Sequence, residues 1–156
     1  MKLTWDDLII NFKHIQLDAL TEDWKWLGGE EAYPVLISSI GDMFLSNGDV
    51  IYWLNVGEGT CTKVANHFDD LLIMMKDDEL ANEWFMFDLV KEIKESGLSL
   101  THGNLFGYKQ LPIIGGKYEP QNFELTDIEV HFSLAGQIHR QIKDLPDGTK
   151  VNIKLK

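Results

Sequence analysis

Asp127, Glu129 and His131 are the residues of this chain whose types and spacing best suit chemistry. They alternate with Ile128, Val130 and Phe132 in a run that reads as a half-buried strand continuing to Leu134. On a strand, residues two apart point the same way, about 7 Å from one to the next. Two carboxylates and an imidazole on one face can hold a divalent metal or tune one another for acid–base work, with His139 as an added ligand from a following helix. The competing reading is the solvent side of a half-buried strand. No H-E-x-x-H or other paired-histidine spacing sharpens the signal. No metal and no catalytic residue is therefore expected. A metal-dependent hydrolase built on these three residues is kept as the alternative.

Gly107 to Asn122, GYKQLPIIGGKYEPQN, raises a second possibility, a phosphate-cradling loop. A Walker loop needs Gly-Lys-Ser/Thr before a helix, but Gly116-Lys117 is followed by Tyr118, and Pro120 precedes a β-like run. The spacing of a dinucleotide fingerprint fails as well. The glycines are explained by a turn that needs positive φ at Gly115 or Gly116. No cofactor is expected. Tyr108, Tyr118 and Trp53 are the residues of a third reading, a pocket for a small ligand. Cys61, the only cysteine, excludes an internal disulfide and a cysteine-rich zinc site, and it reads as a small buried hydrophobe. No G-x-S-x-G is present.

The charge is uneven. Residues 1–100 carry 19 of the 25 acids and seven of the 14 bases, a net of −12, and the remainder is +1. An acidic chain repels nucleic acid and anionic lipid, so neither is an expected partner. Asp69, Asp70, Asp77, Asp78, Glu79 and Glu83 concentrate the acidity near two helix starts. There they stabilise helix N-termini, or form a recognition patch for lysine and arginine on a partner. Acids arrive early at the N-terminus and no apolar run approaches the roughly 20 residues of a membrane span, which reads as a soluble, cytoplasmic protein.

These residues need an α+β scaffold to position them. With 156 residues and 44% hydrophobic content, one domain with one core is expected, a mostly antiparallel sheet with packed amphipathic helices. Thr4-Trp5-Asp6-Asp7 starts a helix with Leu8, Ile9, Phe12 and Ile15 on one face. The organisation is an N-terminal helix over 1–20 and a compact unit over 21–156. Thr21-Glu22-Asp23 starts a short helix that Gly28-Gly29 stops. Asp42 to Ala65 reads as a β-meander with turns at Asn47-Gly48 and Gly57-Glu58-Gly59. Asn66 caps a helix over His67 to Lys76, and Asp77 or Asp78 caps one running to Ser96. After the strand through Phe132, Leu134, Ile138 and Ile142 give a short helix, and Val151, Ile153 and Leu155 a closing strand. The sheet is expected to contain Tyr52, Trp53, Val130 and Phe132, with the 78–96 helix packed on it.

The order of motifs resembles the C-terminal domain of type VI secretion immunity proteins. The matching pieces are Gly41-Asp42-Met43-Phe44-Leu45, Val50-Ile51-Tyr52-Trp53-Leu54, Phe106-Gly107-Tyr108-Lys109 and Pro112. They continue with Ile114-Gly115-Gly116-Lys117-Tyr118, Asn122, and His131-Phe132-Ser133-Leu134-Ala135-Gly136-Gln137-Ile138-His139. They extend from about Trp24 to the C-terminus. The resemblance implies an immunity protein that binds and neutralises a cognate toxin, in some relatives a DNase, with no catalytic residue to carry over. Longer relatives have an N-terminal companion domain, and this chain is expected to have a leading helix instead. The acidic first two-thirds is expected to meet a basic toxin.

Overall fold

The computed structural model describes residues 1–156. The fold is α+β, as expected. Four strands, β1 (Tyr33–Ile37), β2 (Met43–Asn47), β3 (Val50–Asn55) and β4 (Thr60–Ala65), form an antiparallel sheet in chain order. The Asn47-Gly48 hairpin is present with the register that its two-residue turn dictates, Asn47 opposite Val50. β1 and the paired strands β5 (Asn104–Tyr108) and β6 (Phe123–Asp127) add to the expected set.

Both faces of the larger sheet are covered, which is why β2 buries four residues in a row instead of alternating. Leu36, Phe44 and Ile51 point to one side. There α4 (Phe68–Met74), α5 (Asp78–Phe85) and α6 (Phe87–Glu95) cover them, with Trp84 edge-on to Phe44 at 5.3 Å between ring centres. Ile37, Met43, Leu45 and Leu54 point to the other side, against Trp24, Ile128 and Phe132. The helices on that side are α2 (Leu17–Thr21), the single 3-10 turn Glu22–Trp24, α3 (Lys25–Gly28) and α7 (Ile128–Ile142).

Four expectations are corrected. The N-terminal helix expected over 1–20 is only α1 (Trp5–Leu8). Ile9 bridges Ser38 and Ile10 N–H donates to Ile37, so the chain leaves the helix to extend the sheet edge. The 78–96 helix is two helices, α5 and α6. Met86 takes the left-handed conformation (φ 50°) between them, and the Asn82 side chain accepts from Phe87 N–H. Val151, Ile153 and Leu155 form no strand. Their neighbour is a helix whose backbone groups are already paired, so Gln141 reaches out to both Lys154 N–H and Lys154 C=O, and Gln137 to Lys156 N–H.

The fourth correction is the largest. Ile128 to Leu134 is the first half of α7 and not a strand, so Val130 and Phe132 lie outside the sheet. The buried positions of α7 are Ile128, His131, Phe132, Ala135, Gly136 and His139, a pure helical period. The alternation was produced by counting histidine as polar and overlooking alanine and glycine as contact residues. Gly136 is one of those contacts, because a Cβ there would come within 2.5 Å of Asp23 C=O. The helix begins at Asp127, whose carboxylate accepts from Val130 N–H at 3.0 Å.

Asp127 is thus a helix cap, and its removal has a structural cost. Asp127→Ala is expected to lower stability by about 1 kcal/mol, measured by urea denaturation, whereas Glu129→Ala, exposed and uncapped, should change it by less than about 0.5 kcal/mol.

Candidate functional site

The three sequence candidates for chemistry are scattered by the helix. Asp127 caps α7, Glu129 is exposed, and His131 turns into the core, 7% exposed. His131 Nε2 donates to Gly41 C=O at 2.9 Å, and since a carbonyl only accepts, that nitrogen carries the proton. Burial pushes its pKa down to about 4. His139, two turns on, repeats the arrangement by donating to Val56 C=O at 2.6 Å, and burial lowers its pKa too. Neither imidazole is a ligand beside the two carboxylates. No group of three histidine, cysteine, aspartate or glutamate side chains in the structure converges as metal ligands do.

His131 reaches the turn Ser38 to Asp42, and His139 reaches Val56, whose N–H donates to Asp42 of that turn. The turn joins β1 to β2 and is wholly buried, although connecting turns normally lie at the surface. Buried polar groups need partners, and four parts of the chain supply them. Ser39 N–H donates to Leu8 C=O, and Ser39 C=O accepts from Phe106 N–H, both at 2.8 Å. Gly41 C=O accepts from His131. Asp42 Oδ1 accepts from Val56 N–H at 2.9 Å. Gly41 has φ 88°, and a Cβ there would lie 2.2 Å from the His131 ring, so only glycine fits.

Asp42 is the group with unfinished chemistry. Its Oδ2 has no hydrogen-bond partner, nor have Trp53 Nε1 and Tyr108 Oη, and all three atoms are buried. Trp53 Nε1 faces the carboxyl without closing a bond of normal geometry. Burial raises the Asp42 pKa to about 7, and the Val56 and Trp53 N–H groups counteract only part of that. Tyr108 is held well above its ordinary value by burial and by the nearby Asp42 carboxyl. The residues of the small-ligand reading therefore do gather. Tyr108 and Tyr118 meet edge to face at 6.1 Å, and Tyr118 O–H donates to Glu58 Oε1 at 2.5 Å.

The Gly107 to Asn122 stretch is the connection between β5 and β6. Asn122 clamps it, with Nδ2 donating to Gln110 C=O and Lys117 C=O at 2.9 Å each. Gly115 adopts φ 102°, as its place in a turn requires. The Gly115 and Gly116 N–H groups already donate to Pro112 and Leu111 C=O, so they do not point outward to a phosphate. Cys61 is half-buried on β4, and burial raises its thiol pKa.

The acidic residues lie where two helices meet. Asp69 and Asp70 are in the first turn of α4. Asp77 caps α5, accepting from Glu79 and Leu80 N–H, and Asp78, Glu79 and Glu83 follow on that helix. All but the half-buried Asp70 are exposed, and none forms an ion pair. Beside them α4 exposes Phe68, Leu72 and Ile73. Leu71 is the buried residue of α4, so Phe68, Leu72 and Ile73 are left on its outer side.

What this arrangement defines is an α+β protein whose polar interior serves architecture and whose outer helices present surface. Residues 65–139, just under half of the chain, match the family model described as T6SS immunity protein Tdi1, C-terminal. The match bears out the resemblance read from the motifs and supports an immunity role. It ends at His139, the second of the two buried histidines. Among curated proteins none matches the chain. No helix is long and apolar enough to cross a membrane.

Asp42 makes stability pH-dependent with a definite sign. Its folded pKa of about 7 lies above the ordinary 3.8, so the folded state binds the proton more tightly. Its favourable contribution is complete below about pH 4, falls as pH rises to about 7, and is constant beyond. Asp42→Asn, which keeps the acceptor for Val56 N–H, should remove that fall. By thermal or urea unfolding, the gap between variant and wild type should move in the variant's favour by on the order of 3–4 kcal/mol from pH 4 to pH 8. A gap independent of pH would show that Asp42 titrates normally.

Proposed function

We propose that the protein is an immunity protein that neutralises a cognate secreted toxin by binding it, without catalysis. The observation that carries this reading is the family match over residues 65–139. We place the contact at α4 and the start of α5, both inside the matched segment.

The surface there has the composition of a binding face. Ile73 is 63% exposed, with Phe68 and Leu72 beside it, and large apolar side chains grouped on a surface mark interaction sites. Asp69, Asp70, Asp77, Asp78, Glu79 and Glu83 surround the group with unpaired negative charge. A partner that fits has an apolar centre within a ring of lysine and arginine, an apolar core with a polar rim. A nuclease toxin meets that description, because it carries a cationic surface to hold phosphates. The same acidity argues against nucleic acid or anionic membrane as the partner. The cytoplasm, where a nuclease would find its substrate, is the compartment this reading assigns.

The test is binding kinetics against a toxin encoded by a neighbouring gene, at low and high salt. Asp78→Lys/Glu79→Lys/Glu83→Lys leaves the Asp77 cap in place. It should slow association about tenfold at low salt and much less at high salt. Ile73→Asp should instead speed dissociation, by about tenfold or more. If both variants, folded by circular dichroism, bind like wild type, the contact lies elsewhere. If no neighbouring toxin is bound or neutralised by the wild-type protein, the immunity reading fails.

A further inference from the structure

A cavity of about 920 Å³ lies on the opposite side of the sheet from the acidic helices. Its walls are Trp26 and Leu27 from α3, Ile113 and Ile114 from the β5–β6 connection, and Ile142 at the end of α7. Val151 and Ile153 of the C-terminal segment roof one side, a segment tied to α7 by the two bonds between Gln141 and Lys154. This size and apolar lining are those of small-molecule sites.

The rest of the lining includes Asp147 and Thr149 of the C-terminal segment, with Thr149 Oγ1 donating to Pro146 C=O, and the polar groups His139, Glu58 and Lys143. His139 is 3% exposed, and its Nε2–H is committed to Val56 C=O, so Nδ1 keeps its lone pair. Nδ1 accepts no hydrogen bond within the chain and lies on the cavity wall beside Gly59, so close that a Cβ on Gly59 would sit 2.4 Å from it. Glu58 lines the same end. Its Oε1 accepts from Tyr118, and Oε2 has no partner. The cation of the lining, Lys143, is matched by Asp144 at 2.7 Å. The polar end thus offers acceptors and negative charge, and no free donor.

We infer that this cavity binds a small apolar molecule that carries a protonated amine. The hydrocarbon or aromatic body fills the space between Trp26, Leu27, Ile114 and Ile142. The ammonium donates to His139 Nδ1 and to Oε2 of the half-buried Glu58, acceptors that no group of the chain occupies. A carboxylate of the same shape meets Glu58 and a lone pair, and it is rejected. The cavity is half open, with the chain's own C-terminal segment along one side, and its volume suits a small molecule. The site is separate from the proposed toxin face.

The probes are 4-phenylbutylamine and its isostere 4-phenylbutanoate, followed by ¹H–¹⁵N NMR titration of the whole protein. The amine should give saturable shifts at Gly59, Ile114 and Ile142, with a dissociation constant at least about tenfold below that of the carboxylate. Ile114→Lys, at an exposed position that leaves the fold intact, should abolish the shifts. Glu58→Gln should keep the binding of the apolar body while reducing the preference for amine over carboxylate about tenfold. Shifts that do not saturate, equal binding of the two probes, or wild-type binding by Ile114→Lys would each overturn the inference.

Discussion

The structure depends on one buried turn. Ser38 to Asp42 carries its peptide groups and a carboxyl into the interior, where each unpaired group would cost about 1–3 kcal/mol. The groups that pair with it come from the N-terminal segment, β5, α7 and the β3–β4 turn. That requirement fixes where these parts sit. α1 has to end at Leu8 so that its carbonyl faces Ser39. α7 has to pack with His131 over Gly41, which in turn places His139 over Val56. Hydrophobic burial on both faces of the sheet holds the layers together, but it is non-directional, and it is the turn that sets their register.

The two histidines have a structural part in this fold. Here each Nε2–H is committed to a backbone carbonyl, and burial keeps each ring neutral. They behave as polar struts, long enough to span from a helix to a turn, and a leucine of similar size would leave the carbonyl unpaired. Asp42 plays a related part, with one oxygen engaged and the other left facing Trp53 and Tyr108.

Local signals were legible where local physics decides. The Asn47-Gly48 hairpin, the β-meander, the start of α5 at Asp77 and the turn at Gly115 follow from backbone preferences of a few residues. The misreadings fall where distant contacts decide. Ile128 to Leu134 satisfied a strand period and a helical one together, and the choice rested on whether His131 and Gly136 were buried, which only Gly41 and Asp23 settle. Met86 stops a strongly amphipathic run by a backbone turn that no side-chain pattern announces. The acidic cluster was visible as charge, but the exposure of Phe68, Leu72 and Ile73 depends on how α4 packs, and the cavity beside His139 is assembled from four separate segments.

The bonds that close the interior span long stretches of chain: 90 residues from Gly41 to His131, 83 from Val56 to His139, and 108 from Trp24 to Phe132. Closing such loops is slow relative to forming local helices. During synthesis the sheet, α4, α5 and α6 emerge while one face of the sheet still lacks α7, part of its cover. The chain gains that cover only when α7 has left the ribosome. Maturation therefore waits on α7, the helix that brings Phe132, His131 and His139 to their partners.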